Sequence, residues 1–211
     1  MPEKEHGWHR EVIDAAVARS LKDLRQASVL SPFYLAGGTG LALHLGHRRS
    51  LDLDFFSNEP FDPETLLHKV QHLSGFSLVA KETETLHAHV QGTKVSFFGY
   101  PYPVLFPFKA LLDVNVADPR DIACMKISAI AGRGTKRDFI DLYTVSKRYG
   151  LPQLLDLFKD KFAQANYSTV HVLKSLTYFE EAEQDPMPDL LVSLSWGDVK
   201  QFFSSEAPRL L

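Results

Sequence analysis

The sequence predicts an α+β half followed by a helical half, and three observations lead to this prediction. Short runs typical of strands occur up to about residue 106. Helical spacing of apolar residues dominates after the proline-rich segment YPYPVLFPF, and glycine and proline separate the elements throughout. We therefore predict two domains, an α+β core over residues 1–106 and a helical domain over 107–211, with a ligand-binding cleft between them.

The composition argues against several classes of protein. Hydrophobic residues make up 45% and charged residues 23% of the 211 residues, which is typical of a globular protein with a buried core. The net charge of −3 argues against a globally basic nucleic-acid binder, although a local basic site stays open. The apolar runs are shorter than a membrane span, the N-terminus is charged, and Cys124 is the single cysteine. We expect a cytoplasmic protein without a membrane partner.

The first predicted elements are a helix, a strand, a second helix and a second strand. Apolar residues recur at helical spacing over 11–26, and the apolar run FYLAGG then ends in two glycines. The next helix begins near Thr39, a favourable N-cap residue. Strict alternation in LDLDFF predicts a strand with Asp52 and Asp54 on one face and apolar residues on the other.

The later elements are a helix, three strands and then helices. The helix covers about 63–73, and the strands are FSLVAKE, TLHAHV and KVSFFGY. In the second half we predict helices over about 119–131, 135–149, 152–164, 168–183 and 196–203. Thr135 and Asp138 resemble a capping box, and Gly150 is suited to end the same helix.

Asp52 and Asp54 are the first candidates for chemistry. Neighbouring carboxylates on one strand face repel each other unless a cation neutralises them. Mg²⁺ is commonly held by one or two carboxylates together with phosphate oxygens. The alternative is the wet face of an edge strand, where alternating polar residues are usual. The two residues alone leave both interpretations open.

The turn formed by Gly37, Gly38 and Thr39 is a candidate phosphate site, because it precedes a helix N-terminus with its backbone N–H groups. It matches neither G-x-x-x-x-G-K-[ST] nor G-x-G-x-x-G, and the glycines would also suit a simple tight turn. Arg48 and Arg49 lie between this turn and the carboxylates. Arginine forks suit phosphate, although a basic loop is often merely solvated.

The spacing of the Gly-Gly-Thr turn and the D-x-D pair resembles the signature of the polymerase-β-like nucleotidyltransferase superfamily. Within it, GGTGLALHLGHRRSLDLDFF and DIACMKISAIAGRGTKRDFIDLY resemble the two hallmark blocks of the AbiEii/AbiGii toxin family. The resemblance extends over about residues 10–180. It implies a polymerase-β-like nucleotidyltransferase mixed sheet with flanking helices, followed by the helical half.

The resemblance also implies an activity, which is transfer of a nucleotidyl group from a nucleoside triphosphate with Mg²⁺ as the cofactor. The acceptor would be tRNA or a protein hydroxyl, and the protein would be the toxin of a bacterial toxin–antitoxin or phage-defence pair with a cognate antitoxin. The resemblance implies metal binding by Asp52 and Asp54, and catalysis by these two together with Lys126 and Asp138. The implied phosphate-binding residues are Gly37, Gly38, Thr39, Arg48, Arg49 and Arg137.

Each residue of the second block also has a plainer interpretation. Lys126 would be an exposed helix lysine, and the capping box alone would explain Asp138. Asp141 lies one helical turn beyond Asp138, so it would orient a neighbouring cation or form a surface ion pair. If the acceptor is tRNA, its backbone would be guided by Arg48, Arg133, Lys136 and Arg148.

One position departs from the superfamily pattern. Ser96 stands where enzymes that use two metals generally have a third carboxylate, which permits single-metal chemistry or a degenerate site. The alternative function is therefore a catalytically degenerate nucleotide-binding or partner-docking protein of the same fold. His87 and His89 share a strand face and are expected to be structural or surface residues rather than zinc ligands. The aromatic segment 100–108 is expected to be a connector, with nucleobase stacking as the alternative.

Overall fold

A computed structural model describes residues 7–210. Residues 1–6 and 211 lie outside the described part, which includes the start of the charged N-terminal segment. The described chain forms two compact units. The first comprises residues 7–103 and 107–118, and the second comprises 104–106 and 119–210.

The first unit is built on a mixed sheet, which over the described residues has seven strands in the order β3-β4-β5-β2-β1-β7-β6. A 3-10 turn at Arg10–Val12 precedes α1 (Ala15–Gln26), β1 (Tyr34–Leu35), α2 (Gly37–Leu45), β2 (Leu53–Ser57), α3 (Pro63–Val70), β3 (Ser77–Glu82), β4 (Thr85–Val90), β5 (Thr93–Gly99), β6 (Lys109–Leu111) and β7 (Val114–Val116). The pairs β2–β5 and β1–β7 are parallel, and the other neighbours are antiparallel. The predicted α+β fold class is confirmed.

The two faces of this sheet have different chemistry because side chains alternate along each strand. One face carries the buried residues Leu53, Phe55, Leu86, Val95 and Phe97, which belong to one core cluster with apolar residues of α1 and α3. The opposite face carries Asp54, Phe56, His87, Ser96 and Phe98. Asp54 therefore lies on the polar and aromatic face, whereas Asp52 precedes β2, which begins at Leu53.

The hairpin of β6 and β7 is an element that the sequence analysis missed. Its strands have three residues each, too few to show a period, and its turn lacks the usual Asn-Gly or Asp-Gly signal. Leu112 and Asp113 occupy the turn with φ values of +49° and +63°. Leu35 pairs with Val116, which adds the hairpin to the sheet of the first unit. The sequence analysis had assigned these residues to the helical half.

The second unit is helical. Its elements are α4 (Pro119–Arg133), α5 (Lys136–Tyr149), α6 (Leu151–Lys161), α7 (Thr169–Ser175), α8 (Glu180–Glu183), α9 (Trp196–Glu206) and a 3-10 turn at Ala207–Leu210. The capping box of Thr135 and Asp138 forms as expected. The prediction of a single helix over 168–183 is wrong, because α7 ends at Ser175 and α8 begins at Glu180. Just beyond α7, the Thr177 hydroxyl donates to the Lys174 carbonyl, and such local bonds compete with helix continuation.

Among residues 7–210, the structure contains no helix with the length and apolar character needed to cross a bilayer.

Candidate active site

The start of α2 lies directly against the carboxylate of Asp54. The backbone N–H of Ala36 donates to the Asp54 carbonyl at 3.0 Å, which joins the end of β1 to β2. Gly37 follows with φ of +59°, and a Cβ atom at this position would lie 2.7 Å from Asp54 Oδ2. Glycine is therefore required here both for its backbone angle and for the approach of the carboxylate. The N-terminus of α2 therefore lies next to Asp54, one of the two candidate metal ligands.

Thr39 is buried in the first turn of α2 with 1% of its surface exposed. Its hydroxyl donates to the carbonyl of Asp52 and lies 2.8 Å from the hydroxyl oxygen of Ser50. The prediction that Thr39 caps this helix is wrong, since α2 begins at Gly37 and Ala36 is the N-cap residue. The hydroxyl instead ties α2 to the residue at which the D-x-D pair begins.

Arg48 and Arg49 have different surroundings. Arg48 is 3% exposed, and its Nη1 donates to the Arg49 carbonyl at 3.0 Å. Its Nη2 lies so close to Gly38 that a Cβ atom there would collide with it. This guanidinium adds positive charge to the N-terminal turn of α2, where the helix dipole is also positive. Arg49 is exposed, and its Nη1 donates to the Glu11 carbonyl at 3.2 Å.

A row of polar side chains crosses three strands beside this turn. Asp54 of β2 is the register partner of Ser96 of β5, and Ser96 is the partner of His87 of β4. His87 Nδ1 and Ser96 Oγ are 3.0 Å apart, and Ser96 is 1% exposed. The sequence analysis treated His87 as a structural or surface residue, because the pairing of distant strands that creates the row leaves no local pattern.

Aromatic rings occupy the next row of the same face. The ring centroids of Phe56 and Phe98 are 5.1 Å apart and nearly parallel, and Tyr34 stacks on Phe108 at 5.0 Å. Tyr100 meets Phe56 edge-on at 5.4 Å. Phe56 and Phe98 thus lie two residues further along β2 and β5 than Asp54 and Ser96, and on the same face.

The second unit holds a separate charged cluster. Lys126 Nζ lies 2.8 Å from Asp138 Oδ1 and 2.8 Å from Asp141 Oδ2. The side chain of Lys126 is 11% exposed and that of Asp141 is fully buried. Asp138 Oδ2 also accepts hydrogen bonds from the Thr135 backbone N–H and hydroxyl. The capping box therefore forms together with the ion pair between Asp138 and Lys126.

Some basic residues expected to guide tRNA are not on the surface. Lys136 is 6% exposed, and its ammonium donates to the carbonyls of Glu183 and Asp185. Arg48 is buried beside Gly38. The expectation of a surface role is wrong for these two, while Arg133, Arg137 and Arg148 are exposed. It stays a prediction that the charged cluster of Lys126, Asp138 and Asp141 acts together with the D-x-D pair.

A comparison with protein families identifies this chain. The family described as "Nucleotidyl transferase AbiEii toxin, Type IV TA system" matches residues 19–102 and 99–209. The chain belongs to this family. A relative by sequence is the uncharacterized protein aq_aa25 of Aquifex aeolicus (strain VF5), which is 37% identical over 198 residues, or 91% of this chain and 94% of that one.

Solved structures show the same fold. MenT4, a nucleotidyltransferase toxin from Mycobacterium tuberculosis H37Rv, superposes with a TM-score of 0.52 and 16% identity, covering 93% of this chain and 88% of that one. The antibiotic-resistance factor ANT(2'')-Ia gives a TM-score of 0.54 and 12% identity, covering 73% and 92%. The AbiEii assignment confirms the predicted family and the predicted enzyme class, a nucleotidyltransferase. These two structures confirm the fold.

Proposed function

We propose that this AbiEii protein transfers a nucleotidyl group from a nucleoside triphosphate to a hydroxyl of an acceptor, with Mg²⁺ bound by Asp52 and Asp54. The observation that carries this proposal is the contact between Gly37 and the Asp54 carboxylate. The N-terminus of α2, which attracts phosphate, therefore lies next to the Asp54 carboxylate, which attracts a cation. A nucleoside triphosphate with its metal ion fits this arrangement, because its phosphates suit the helix N-terminus and its metal ion suits the carboxylate.

The donor chemistry fits Mg²⁺. Both candidate ligands are carboxylates, and Mg²⁺ usually takes one or two of these while phosphates and water fill its other positions. Within residues 7–210, no group of three or more His, Cys, Asp or Glu side chains is arranged to hold a metal ion. This supports a metal that arrives with the nucleotide rather than one held by the protein alone.

The chain's own residues would bind and orient the nucleotide. The N–H groups at Gly37 and Gly38 would contact phosphate oxygens, and the buried Arg48 guanidinium would reinforce the positive potential there. Lys126 would stabilise charge on the leaving pyrophosphate, with Asp138 and Asp141 holding its ammonium in place. Bound Mg²⁺ would supply further neutralisation of phosphate charge. Thr39 would act by positioning Asp52, and Arg49 and Arg137 would contribute exposed positive charge.

The test is transfer of an α-phosphate label. Purified protein is incubated with each nucleoside triphosphate labelled at the α-phosphate, with Mg²⁺, and with either total tRNA or a protein extract. Label that enters tRNA or protein, and is lost in Asp52→Asn, would support the enzyme and identify its acceptor. We also propose that this protein is the cytoplasmic toxin of a toxin–antitoxin or phage-defence pair. Addition of its antitoxin should then suppress the transfer.

A second candidate function follows from Ser96. Because this residue occupies the register position beside Asp54, that row lacks a further carboxylate. The site would then bind a nucleotide without transferring it. Tight Mg²⁺-dependent nucleotide binding without label transfer to any acceptor would favour this candidate. Absence of nucleotide binding would contradict both candidates and favour a partner-docking protein.

A further inference from the structure

We propose that His87 is the catalytic proton acceptor for the acceptor's hydroxyl and that Ser96 is the residue that positions it. This inference rests on the proposed nucleotidyl transfer. It assigns a role to a histidine outside both hallmark blocks. In the row Asp54–Ser96–His87, the imidazole of His87 would take the role of a further carboxylate.

The geometry of the sheet carries the inference. Strand pairing places Asp54, Ser96 and His87 side by side across β2, β5 and β4, with their side chains on one face of the sheet. The 3.0 Å contact between Ser96 Oγ and His87 Nδ1 fixes one edge of the imidazole. The ring also meets Phe98 edge-on, with centroids 5.3 Å apart, so its orientation is restrained on two sides.

The chemistry requires a proton acceptor on this face. As the acceptor oxygen bonds to the α-phosphorus, its hydroxyl must lose a proton, and Asp52 and Asp54 would already be committed to the metal. Lys94 and His89 are partners in the adjacent row of β5 and β4. A lysine ammonium has no lone pair and cannot accept a proton. His89 is the register partner of Lys94 rather than of Ser96, because it lies two residues further along β4 than His87. A histidine is the usual general base near neutral pH, which leaves His87, two strands from Asp54 in the same row, as the base.

The acceptor oxygen forms a bond to the α-phosphorus while the bond to the pyrophosphate oxygen breaks, and pyrophosphate leaves with that electron pair. The hydroxyl proton passes to His87 Nε2 and then to water. For Nε2 to hold a lone pair, Nδ1 must carry the ring proton and donate it to Ser96 Oγ. A serine hydroxyl can accept this hydrogen bond, and in the proposed step Ser96 accepts it and so holds the tautomer whose Nε2 takes the proton.

The experiment compares three variants under single turnover at saturating nucleotide. Removal of a general base typically costs about 100-fold to 10,000-fold in rate, so we expect His87→Gln to lose at least about 100-fold. Ser96→Ala should lose less, because the ring stays present but is no longer fixed. His89→Gln is the matched control on the same strand and face, and it should transfer at the wild-type rate. Nucleotide affinity should change little in all three, and melting curves should show that each variant is folded at the assay temperature.

A chemical rescue separates catalysis from structure. His87→Ala should regain transfer as imidazole is added to the buffer, while Asp52→Asn should not, since a free base cannot replace a metal ligand. Transfer by His87→Gln at the wild-type rate, with Asp52→Asn inactive, would overturn the inference and leave the proposed function standing. A wild-type protein that transfers nothing would overturn both.

A second readout does not depend on activity. Nitrogen-15 NMR of the histidine rings reports which nitrogen carries the proton. We expect the Nδ1–H form at His87 in the wild-type protein, a shift toward the Nε2–H form in Ser96→Ala, and no change at His89. An Nε2–H form at His87 in the wild-type protein would contradict the proposed role of Ser96.

Discussion

Asp54 and Ser96 are register partners on the adjacent parallel strands β2 and β5, so their side chains lie next to each other on one face of the sheet. Because Ser96 also contacts His87, the row offers a carboxylate, a hydroxyl and an imidazole in place of several carboxylates. Only Asp54 in this row carries the charge that a hard cation prefers. This composition of the row supports the proposal that a single metal ion is held together with the nucleotide.

Gly37→Ala should disrupt the site more than its backbone strain alone explains. An alanine in the left-handed region costs about 1–2 kcal/mol wherever it is placed. At Gly37 its Cβ would also lie 2.7 Å from Asp54 Oδ2, so the carboxylate must move. We expect Mg²⁺-dependent nucleotide binding, measured by calorimetry, to be lost.

Gly92→Ala is the matched control for this change. Gly92 has φ of +80°, and no atom lies within 4 Å of the position that an added Cβ would take, so the substitution carries the strain without the collision. Its nucleotide affinity should equal that of the wild-type protein. Equal losses in both variants would refute a specific role for the contact between Gly37 and Asp54.

Thr39→Val should reduce both stability and nucleotide affinity. The substitution keeps the shape of the side chain but removes the hydroxyl that donates to the Asp52 carbonyl. A buried polar partner left unsatisfied costs about 1–3 kcal/mol. Thr39→Ser keeps the hydroxyl and is the control. If Thr39 bound phosphate directly, Thr39→Val would weaken nucleotide binding while urea denaturation showed unchanged stability.

The pair of Lys161 and Asp121 should matter for folding of the second unit. Both side chains are almost fully buried and 2.8 Å apart, and the Asp121 carboxylate also accepts the backbone N–H groups of Leu105 and Phe106. Removing one partner of a buried pair costs about 3–5 kcal/mol, which is the loss we expect for Lys161→Met in urea denaturation.

Lys159→Met provides the comparison on the same helix. Lys159 pairs with Asp156 at 3.0 Å, but its side chain is 56% exposed, so the loss should be about 0–1 kcal/mol. Similar stabilities of the two lysine variants would show that the buried pair does not hold residues 104–106 in the second unit.

Cys124 should resist alkylation in the folded protein. Burial raises the pKa of its thiol from 9.0 to about 12, and the negative charge of Asp121 adds to this effect. The reactive thiolate is therefore absent near pH 8, and iodoacetamide should label the protein only after it unfolds. Because the unfolded thiol ionises at the lower pKa, stability should fall as the pH rises from about 9 toward 12. Rapid labelling of the native protein would contradict this.

The sequence could predict features that depend on local pattern. Alternation in LDLDFF was sufficient to place Asp54 on the face opposite Leu53 and Phe55, because side chains alternate in any strand. The capping box of Thr135 and Asp138 was likewise predictable from its spacing.

Features that depend on long-range pairing could not be predicted in this way. The acceptor of the Thr39 hydroxyl is the Asp52 carbonyl, and no rule of spacing connects them. His87 meets Ser96 only because β4 and β5 pair in one particular register. The hairpin of β6 and β7 was missed because its stability comes from addition to β1 rather than from its own sequence.

A labelling experiment tests most directly whether the D-x-D pair supports nucleotidyl transfer. Transfer of α-phosphate label is followed in the wild-type protein, in Asp54→Asn, and in Asp113→Asn, whose carboxylate is 95% exposed and pairs with Arg25. We predict Mg²⁺-dependent transfer by the wild-type and Asp113→Asn proteins and none by Asp54→Asn. Undiminished transfer by a folded Asp54→Asn protein would contradict the account.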